Sequence, residues 1–298
     1  MPKPNHKVLI ILAFFSIYVI WGSTYLLNKI AVGQISPLFL AGIRFVVAGI
    51  LVGLISKMMG LKLVISKKQF LNCTIAGFLF LVYGNGVFVW ALKYVDSGFA
   101  ALISSTQPLF VLILMRLIDR KEMKKKSLIG IALGITGMYL LISQQEIVSH
   151  EQNIIGIFMI LSCVLCWSYA SILVSKIDLP SNFFVSTGYQ MLIAGVFLMI
   201  FSQLLGESWL SPLEWHLDVQ LAMIGLVIFG SIVAFTAFNY LLLKVSPEKV
   251  ATSAYVNPIV ALFLGWLVLN EKLSLQSIIA AGVLLTGVYF ITSKKETP

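Results

Sequence analysis

Apolar residues run nearly unbroken through positions 8–28, 37–56, 70–92, 97–118 and 127–143. They do so again through 154–174, 182–205, 220–243, 247–269 and 274–292. Short polar clusters separate the runs. A helix crosses the hydrocarbon core of a bilayer in about 17–25 residues, and the runs have that length. The pattern predicts an all-α membrane protein with ten transmembrane helices. Composition agrees: 59% of residues are hydrophobic and 11% charged, with a mean hydropathy of +0.97. A soluble domain carries roughly 25% charged residues and cannot bury this much apolar surface. Soluble enzyme, nucleic-acid binder and disordered scaffold are therefore excluded, and the lipid bilayer is the first partner implied.

The net charge of +9 would suggest nucleic acid in a soluble chain, but position matters more than the sum. With the N-terminus inside, seventeen Lys and Arg fall in cytoplasmic segments, against three (Lys29, Lys93, Lys272) on the other side. Arg44 lies within a span. The positive-inside rule then places both termini in the cytoplasm. Lys3 and Lys7 precede an apolar run as in a signal peptide, but the run is long, reaches Trp21 and Tyr25, and ends without a small-residue cleavage site. It is read as retained. The expected address is the cell (inner) membrane, with multiple passes.

The chain also repeats. An offset of 150 places Trp90 over Tyr240, Pro108 over Pro258, and Thr136-Gly137 over Thr286-Gly287. An offset of 146 places Trp21 over Trp167, Arg44 over Gln190, and Ala48-Gly49 over Ala194-Gly195. The matches are collinear, which divides the chain into 1–143 and 144–298. Five spans per half is an odd number, so the second half must enter the membrane from the opposite side. Such inverted repeats are associated with alternating-access transporters, although channels also contain them.

Candidate site residues follow from what the spans carry. Pro108 and Pro258 each sit mid-span, where proline removes a helix hydrogen bond and frees a carbonyl one turn back, near Ser104 and Ala254. Gln107 and Asn257 precede them, and buried amides in lipid need an interior partner or a wet cavity. Trp21, Tyr25 and Asn28 share one helical face, as do Tyr83 and Trp90, Trp167 and Ser171, and Thr236 and Tyr240. These aromatics either gate a central cavity or form an interfacial belt. In the cavity reading Ser104, Gln107, Ser253 and Asn257 offer hydrogen bonds, while Trp21, Tyr83 and Trp167 shape and close the space. Arg44 is the one formal charge well inside a span. It stands within snorkelling reach of the nearer surface, which favours a structural anchor over a ligand.

Other signals carry less. No Asp or Glu lies deep in a span, so a proton relay would have to use peripheral groups such as Asp96, Glu248 or Glu271. There is no phosphate-binding loop or zinc-protease motif, and no Ser/His/Asp set falls within one plausible site. No catalytic activity, cofactor or metal is expected. Cys163-Val-Leu-Cys166 matches a C-x-x-C pattern but sits mid-helix without a second pair or a nearby His, and reads as packing. Gly130, Gly134 and Gly137, with Ala280, Ala281, Gly282 and Gly287, predict a tight seam between the fifth and tenth helices. That seam lies either within one protomer or between two copies in a homodimer. Lys121 to Lys126 reads as a loop facing lipid phosphates.

Trp21-Gly-Ser-Thr-Tyr25, Arg44-Phe-Val-Val-Ala48, and the run from Asn257-Pro258 through Leu269-Asn-Glu271 to Gly282 and Gly287 resemble the drug/metabolite transporter superfamily. Within it they are most similar to the EamA-type family of ten-helix proteins. The resemblance covers essentially the whole chain. It implies a central cavity lined by helices 1, 3, 4, 6, 8 and 9, and a secondary transporter exporting amino acids or related small metabolites. A phosphate or nucleotide-sugar antiporter of the same superfamily, or a non-transporting membrane receptor, is the alternative. One departure is that Glu271 has no clean mate after the fourth helix, where Asp119-Arg-Lys-Glu122 stands.

Overall fold

The structure, a computed structural model, describes residues 6–120, 125–143 and 151–292. Among them no strand occurs. Seven helices are long and apolar enough to cross a membrane: α1 (Lys7–Val32), α2 (Pro37–Met58), α3 (Lys67–Ala91), α4 (Ser97–Asp119), α6 (Asn153–Val174), α7 (Phe183–Leu204) and α8 (Leu217–Lys244). The remaining long segments, α5 (Lys125–Ile142), α9 (Asn257–Leu269) and α10 (Leu275–Thr292), contain shorter apolar helices. Large apolar side chains such as Phe158, Leu117 and Tyr139 face outward, as they would toward lipid.

Helix starts follow local chemistry. Ser66 and Gln69 form a capping box at the start of α3, and Asn182 caps α7 through the Phe184 N–H. α2 opens with Pro37, and its free Leu38 and Phe39 N–H groups donate to Glu207, which stands in the connection after α7. A carboxylate on a helix N-terminus satisfies orphan donors and complements the helix dipole.

Two helix pairs pack backbone to backbone. A Cβ on Gly49 would stand 2.7 Å from Leu192 N, and one on Gly195 would stand 2.6 Å from Val46 N, so α2 and α7 meet on bare backbone. The seam predicted between the fifth and tenth helices joins α5 to α10 within one chain. A Cβ on Gly287 would lie 2.8 Å from Gly130 O, and one on Gly137 would lie 2.9 Å from Leu284 N. The basic cluster after α4 falls partly on residues 121–124, outside the described residues.

Of the other helices α6 is continuous and the rest are irregular. α1, α3 and α8 carry π segments over Ser16–Ile20, Phe78–Val87 and Leu226–Phe235. α4 does not kink at Pro108. It breaks: a turn at residues 105–106 ends Ser97–Ser104, and Gln107–Asp119 begins afresh with Pro108 in its first turn. Likewise a 3₁₀ segment, Ala251–Tyr255, precedes α9, which opens at Asn257-Pro258. Proline has no N–H to continue the helix ladder and suits the first turn of a helix, so the chain restarts rather than bends. The Ser105 and Thr106 hydroxyls donate to the carbonyls of Leu102 and Ile103, which also accept the backbone N–H groups of the same two residues at the turn.

Candidate functional site

The irregular helices, together with α2 and α6, surround a central cavity of about 110 Å³, room for several waters or a small solute. α1 contributes Trp21, Thr24, Tyr25 and Asn28, and α2 contributes Arg44 and Phe45. α3 adds Leu81, Gly84, Asn85 and Phe88. α4 adds Ser104 and Gln107; α6 adds Cys163, Val164 and Trp167; α8 adds Gly230 and Phe235. Ser253 and Asn257 complete the wall. Seven of the ten residues singled out as ligands (Trp21, Tyr25, Ser104, Gln107, Trp167, Ser253 and Asn257) thus line one space.

The other three sit elsewhere. The Tyr83 hydroxyl donates to Ser162 Oγ at 3.1 Å on a partly exposed face, and Tyr240 is buried against the Phe183 ring at 5.1 Å. Trp90 lies in the last turn of α3, outside the cavity lining. Thr24, Asn85 and Phe88 are cavity residues that the sequence pattern did not single out.

Toward one end the cavity is closed by aromatic rings. Trp167 meets Trp21 edge-on with centroids 5.7 Å apart, and it also contacts Phe80, Phe235 and Phe238. The Trp21 indole N–H donates to Gly230 O at 3.2 Å, within the π segment of α8. Other π carbonyls find donors in the same manner. The Cys166 and Cys163 thiols reach Leu79 O and Tyr83 O of α3, so the C-x-x-C pair seats α6 against a widened helix. The Asn257 amide lies against Tyr18 O and Ile17 O, and with its nitrogen turned to them it donates to both, at 2.7 and 2.9 Å. A π turn shifts the backbone ladder and leaves carbonyls for such donors.

Hydrogen-bonding groups remain free inside. Among the described residues the Gln107 side chain has no protein partner, and Asn85 Oδ1 is buried without one. Arg44 does not snorkel to the surface. It is 3% exposed, its Nε donates to Ser231 Oγ at 2.7 Å, and its Nη1 stands 3.4 Å from Asn28 Oδ1. Its repeat mate Gln190 is buried outside the cavity and bonds Ser186 Oγ.

At the other end of the bundle a second polar cluster joins α1, α4 and α9. Asn270 ends α9 in the left-handed region (φ 53°), and this turn carries Glu271 back over the helix. Glu271 Oε1 accepts from Ser97 N (2.8 Å) and Ser97 Oγ (2.7 Å), and Oε2 accepts from Gly98 N (3.0 Å). Asp96 occupies the N-cap position of α4 but makes no cap bond; Glu271 does that work from across the structure. Gly98 and Gly265 leave the slot, since a Cβ on Gly265 would lie 2.3 Å from Glu271 Oε2. Lys29 Nζ donates to Leu92 O and Val95 O, both at 2.7 Å, and a shallow depression beside it is lined by Asp96, Asp218 and Glu271. Burial, and then the Glu271 charge, push the Asp96 carboxyl above its ordinary pKa, with Lys29 opposing. The counterpart after α4 is different: Asp119 pairs with Lys176, and residues 121 and 122 lie outside the described residues. The Glu248 side chain also lies outside the described set.

Comparison with known proteins agrees with this architecture. The chain is 39% identical over 284 residues to the "Uncharacterized inner membrane transporter YedA" of Escherichia coli (strain K12), an alignment covering 95% of this chain and 90% of that protein. It is 22% identical over 286 residues to the "Uncharacterized transporter YoaV" of Bacillus subtilis (strain 168), covering 96% and 97%. A solved crystal structure that is 16% identical superposes over 97% of each chain with a TM-score of 0.72, and so shares the fold. The EamA-like transporter family matches twice, at residues 8–143 and 154–293. This multi-pass membrane protein belongs to the EamA-like transporter family.

Proposed function

We propose that this transporter is a secondary carrier that exports amino acids or related small metabolites by alternating access. In this reading residues 1–143 and 144–298 are repeats of five transmembrane helices inserted in opposite senses. Both termini are then cytoplasmic, and the protein resides in the cell (inner) membrane. The observation that carries the proposal is the central cavity, where Trp21 and Gln107 of the first half face the same space as Trp167 and Asn257 of the second.

Further features support it. The family matches each half separately. Left-handed turns recur at Gly60 and Gly206, and at Arg120 and Asn270, at the offsets of 146 and 150 found in the sequence. The excess of Lys and Arg on one side supplies the orientation. The aromatic closure then lies on the cytoplasmic side of the cavity, and the Glu271 cluster on the exterior side. One buried guanidinium suits a singly charged or zwitterionic solute better than a dianionic sugar phosphate, which calls for several cations.

The test is counterflow of radiolabelled amino acids by the purified protein in liposomes. Gln107→Ala removes no hydrogen bond within the protein, so flux is expected to fall about tenfold, the scale of one lost ligand bond, with the melting temperature unchanged. Wild-type flux in Gln107→Ala and Asn257→Ala together would remove the cavity from the transport path. A folded wild-type protein that exchanges no amino acid would overturn the substrate class. Single cysteines at Lys62 and Ser208 should label from opposite membrane faces; labelling from one face would defeat the inverted arrangement.

A further inference from the structure

We infer that Arg44 is the ligand for a carboxylate on the transported solute, which makes the cavity selective for zwitterionic amino acids over their uncharged-end analogues. The inference rests on the transport reading above and specifies its chemistry.

A guanidinium in the membrane interior is costly to desolvate, and buried cations are ordinarily paired with anions. Arg44 is buried in α2, and among the described residues no carboxylate pairs with it. Its protein partners are the neutral Ser231 Oγ and Asn28 Oδ1, and its Cζ lies 4.9 Å from the centroid of the Phe45 ring. A guanidinium carries five N–H donors in a planar fork. Ser231 and Asn28 engage Nε and Nη1, and Nη2 has no acceptor among the described residues. An arginine kept only to join helices would be expected to spend those donors on carbonyls or on a carboxylate from a neighbouring helix.

The surroundings keep the group in place. The Nε bond to α8 and the Nη1 contact to α1 hold the fork in one orientation. Gly230 clears the space beside it, since a Cβ there would stand 3.0 Å from Nη2. The fork is therefore held by two neutral groups, lines the cavity and lacks its counter-charge. A carboxylate matches that fork in charge and in planar two-oxygen geometry. The buried, unpartnered Asn85 Oδ1 in the same cavity supplies an acceptor for the donor that an amino acid also carries.

The experiment uses proteoliposomes of the full chain with labelled L-leucine, L-alanine and L-phenylalanine, competed by each amino acid and by its amino alcohol. In parallel, thermal shifts are measured with propionate and with propionamide. Wild type should be competed by the acids and not by the alcohols, and should be stabilised by propionate only. Arg44→Gln should weaken acid competition about tenfold to a hundredfold, the scale of one or two charge-assisted bonds, and erase the acid-over-alcohol preference. Arg44→Lys should restore part of it. Ser231→Ala, which keeps the charge and frees the fork, should weaken acid competition severalfold. Retention of the full acid preference in Arg44→Gln overturns the inference while leaving transport intact. If that variant does not fold, full preference in both Arg44→Lys and Ser231→Ala overturns it. If wild type carries no amino acid but propionate still stabilises wild type and not the Arg44 variants, the carboxylate site stands and the amino-acid reading falls.

Discussion

Glu271 offers a quantitative test of how the α9–α10 corner is tied to α4. Its two oxygens take three donors from Ser97 and Gly98, all at 3.0 Å or less. Glu271→Gln keeps length and shape but turns one of those oxygens into an NH2 group. Whichever way the amide faces, at least one backbone N–H of the α4 N-terminus then meets a donor. An orphaned buried donor costs about 1–3 kcal/mol, and losing an anion at a helix N-terminus costs about 0.3–1 kcal/mol, more where partly buried. The carboxylate is only part-buried, so screening trims the sum to about 1–3 kcal/mol. At about 2–4 °C per kcal/mol, the apparent Tm in detergent should fall by roughly 2–12 °C. Tryptophan fluorescence melts of wild type, Glu271→Gln, Ser97→Ala and the double variant close a cycle. The coupling should exceed about 0.5 kcal/mol, as for groups in direct contact. Additive effects, or a Glu271→Gln shift below about 2 °C, would refute the capping role.

The same geometry makes Gly265→Ala more damaging than Glu271→Gln, because its Cβ would fall on the carboxylate itself; a milder loss of Tm would contradict the slot. Gly287→Val forces a branched side chain onto the Gly130 and Gly134 backbone, with an expected cost of at least about 1–3 kcal/mol, read as lost thermostability; an unchanged melt would mean that α5 and α10 can part freely. Asp96 has a raised pKa in the folded protein, so the folded state binds its proton more tightly than the unfolded chain does. Its stabilising contribution is fully present below the ordinary carboxylate value of about 3.9 and is lost as pH rises through the elevated folded value. Asp96→Asn should therefore raise the apparent Tm at pH 7.5 and flatten the gain seen on acidification, whereas a lower Tm at pH 7.5 would show that attraction to Lys29 outweighs burial and Glu271.

Long apolar runs made the helices legible, because lipid demands that backbone groups be satisfied within each segment. Trp21, Tyr25 and the two amide-proline pairs were legible for a related reason, since polar and amphipathic groups in mid-span need an interior. Helical phase was harder to read. Tyr83 and Trp90 share a face only in a regular 3.6-residue helix, and α3 carries a π segment between Phe78 and Val87 that changes the phase along it. Tyr240 follows a similar segment in α8. For Arg44 only the direction of the side chain was illegible: its length permits snorkelling, while a bond to Ser231, 187 residues away, decides against it. Glu271 was visible as an acidic loop residue. Its cap on α4 was not, because the sequence offers Asp96 in the local position and gives no sign that a distant carboxylate supplants it.

Backbone regularity divides the protein into parts suited to different work. α2 with α7, and α5 with α10, are continuous helices in glycine-mediated backbone contact, where sliding would drive side chains into main chain. α1, α3, α4, α8 and the segment leading to α9 carry π turns, a break or a 3₁₀ stretch where they line or flank the cavity. Several bonds between the irregular helices and their neighbours run from a side chain to a carbonyl: Trp21 to Gly230, Cys166 to Leu79, Asn257 to Tyr18. A side-chain donor can exchange one carbonyl for another or for water at small net cost, because only the difference between two hydrogen bonds is at stake. Interlocked backbones have no such substitute. In the proposed cycle the paired helices would therefore move as rigid blocks. Motion would concentrate in the irregular segments, which carry Asn85, Phe235 and Ser253 of the cavity wall, while Arg44 would ride on a rigid block.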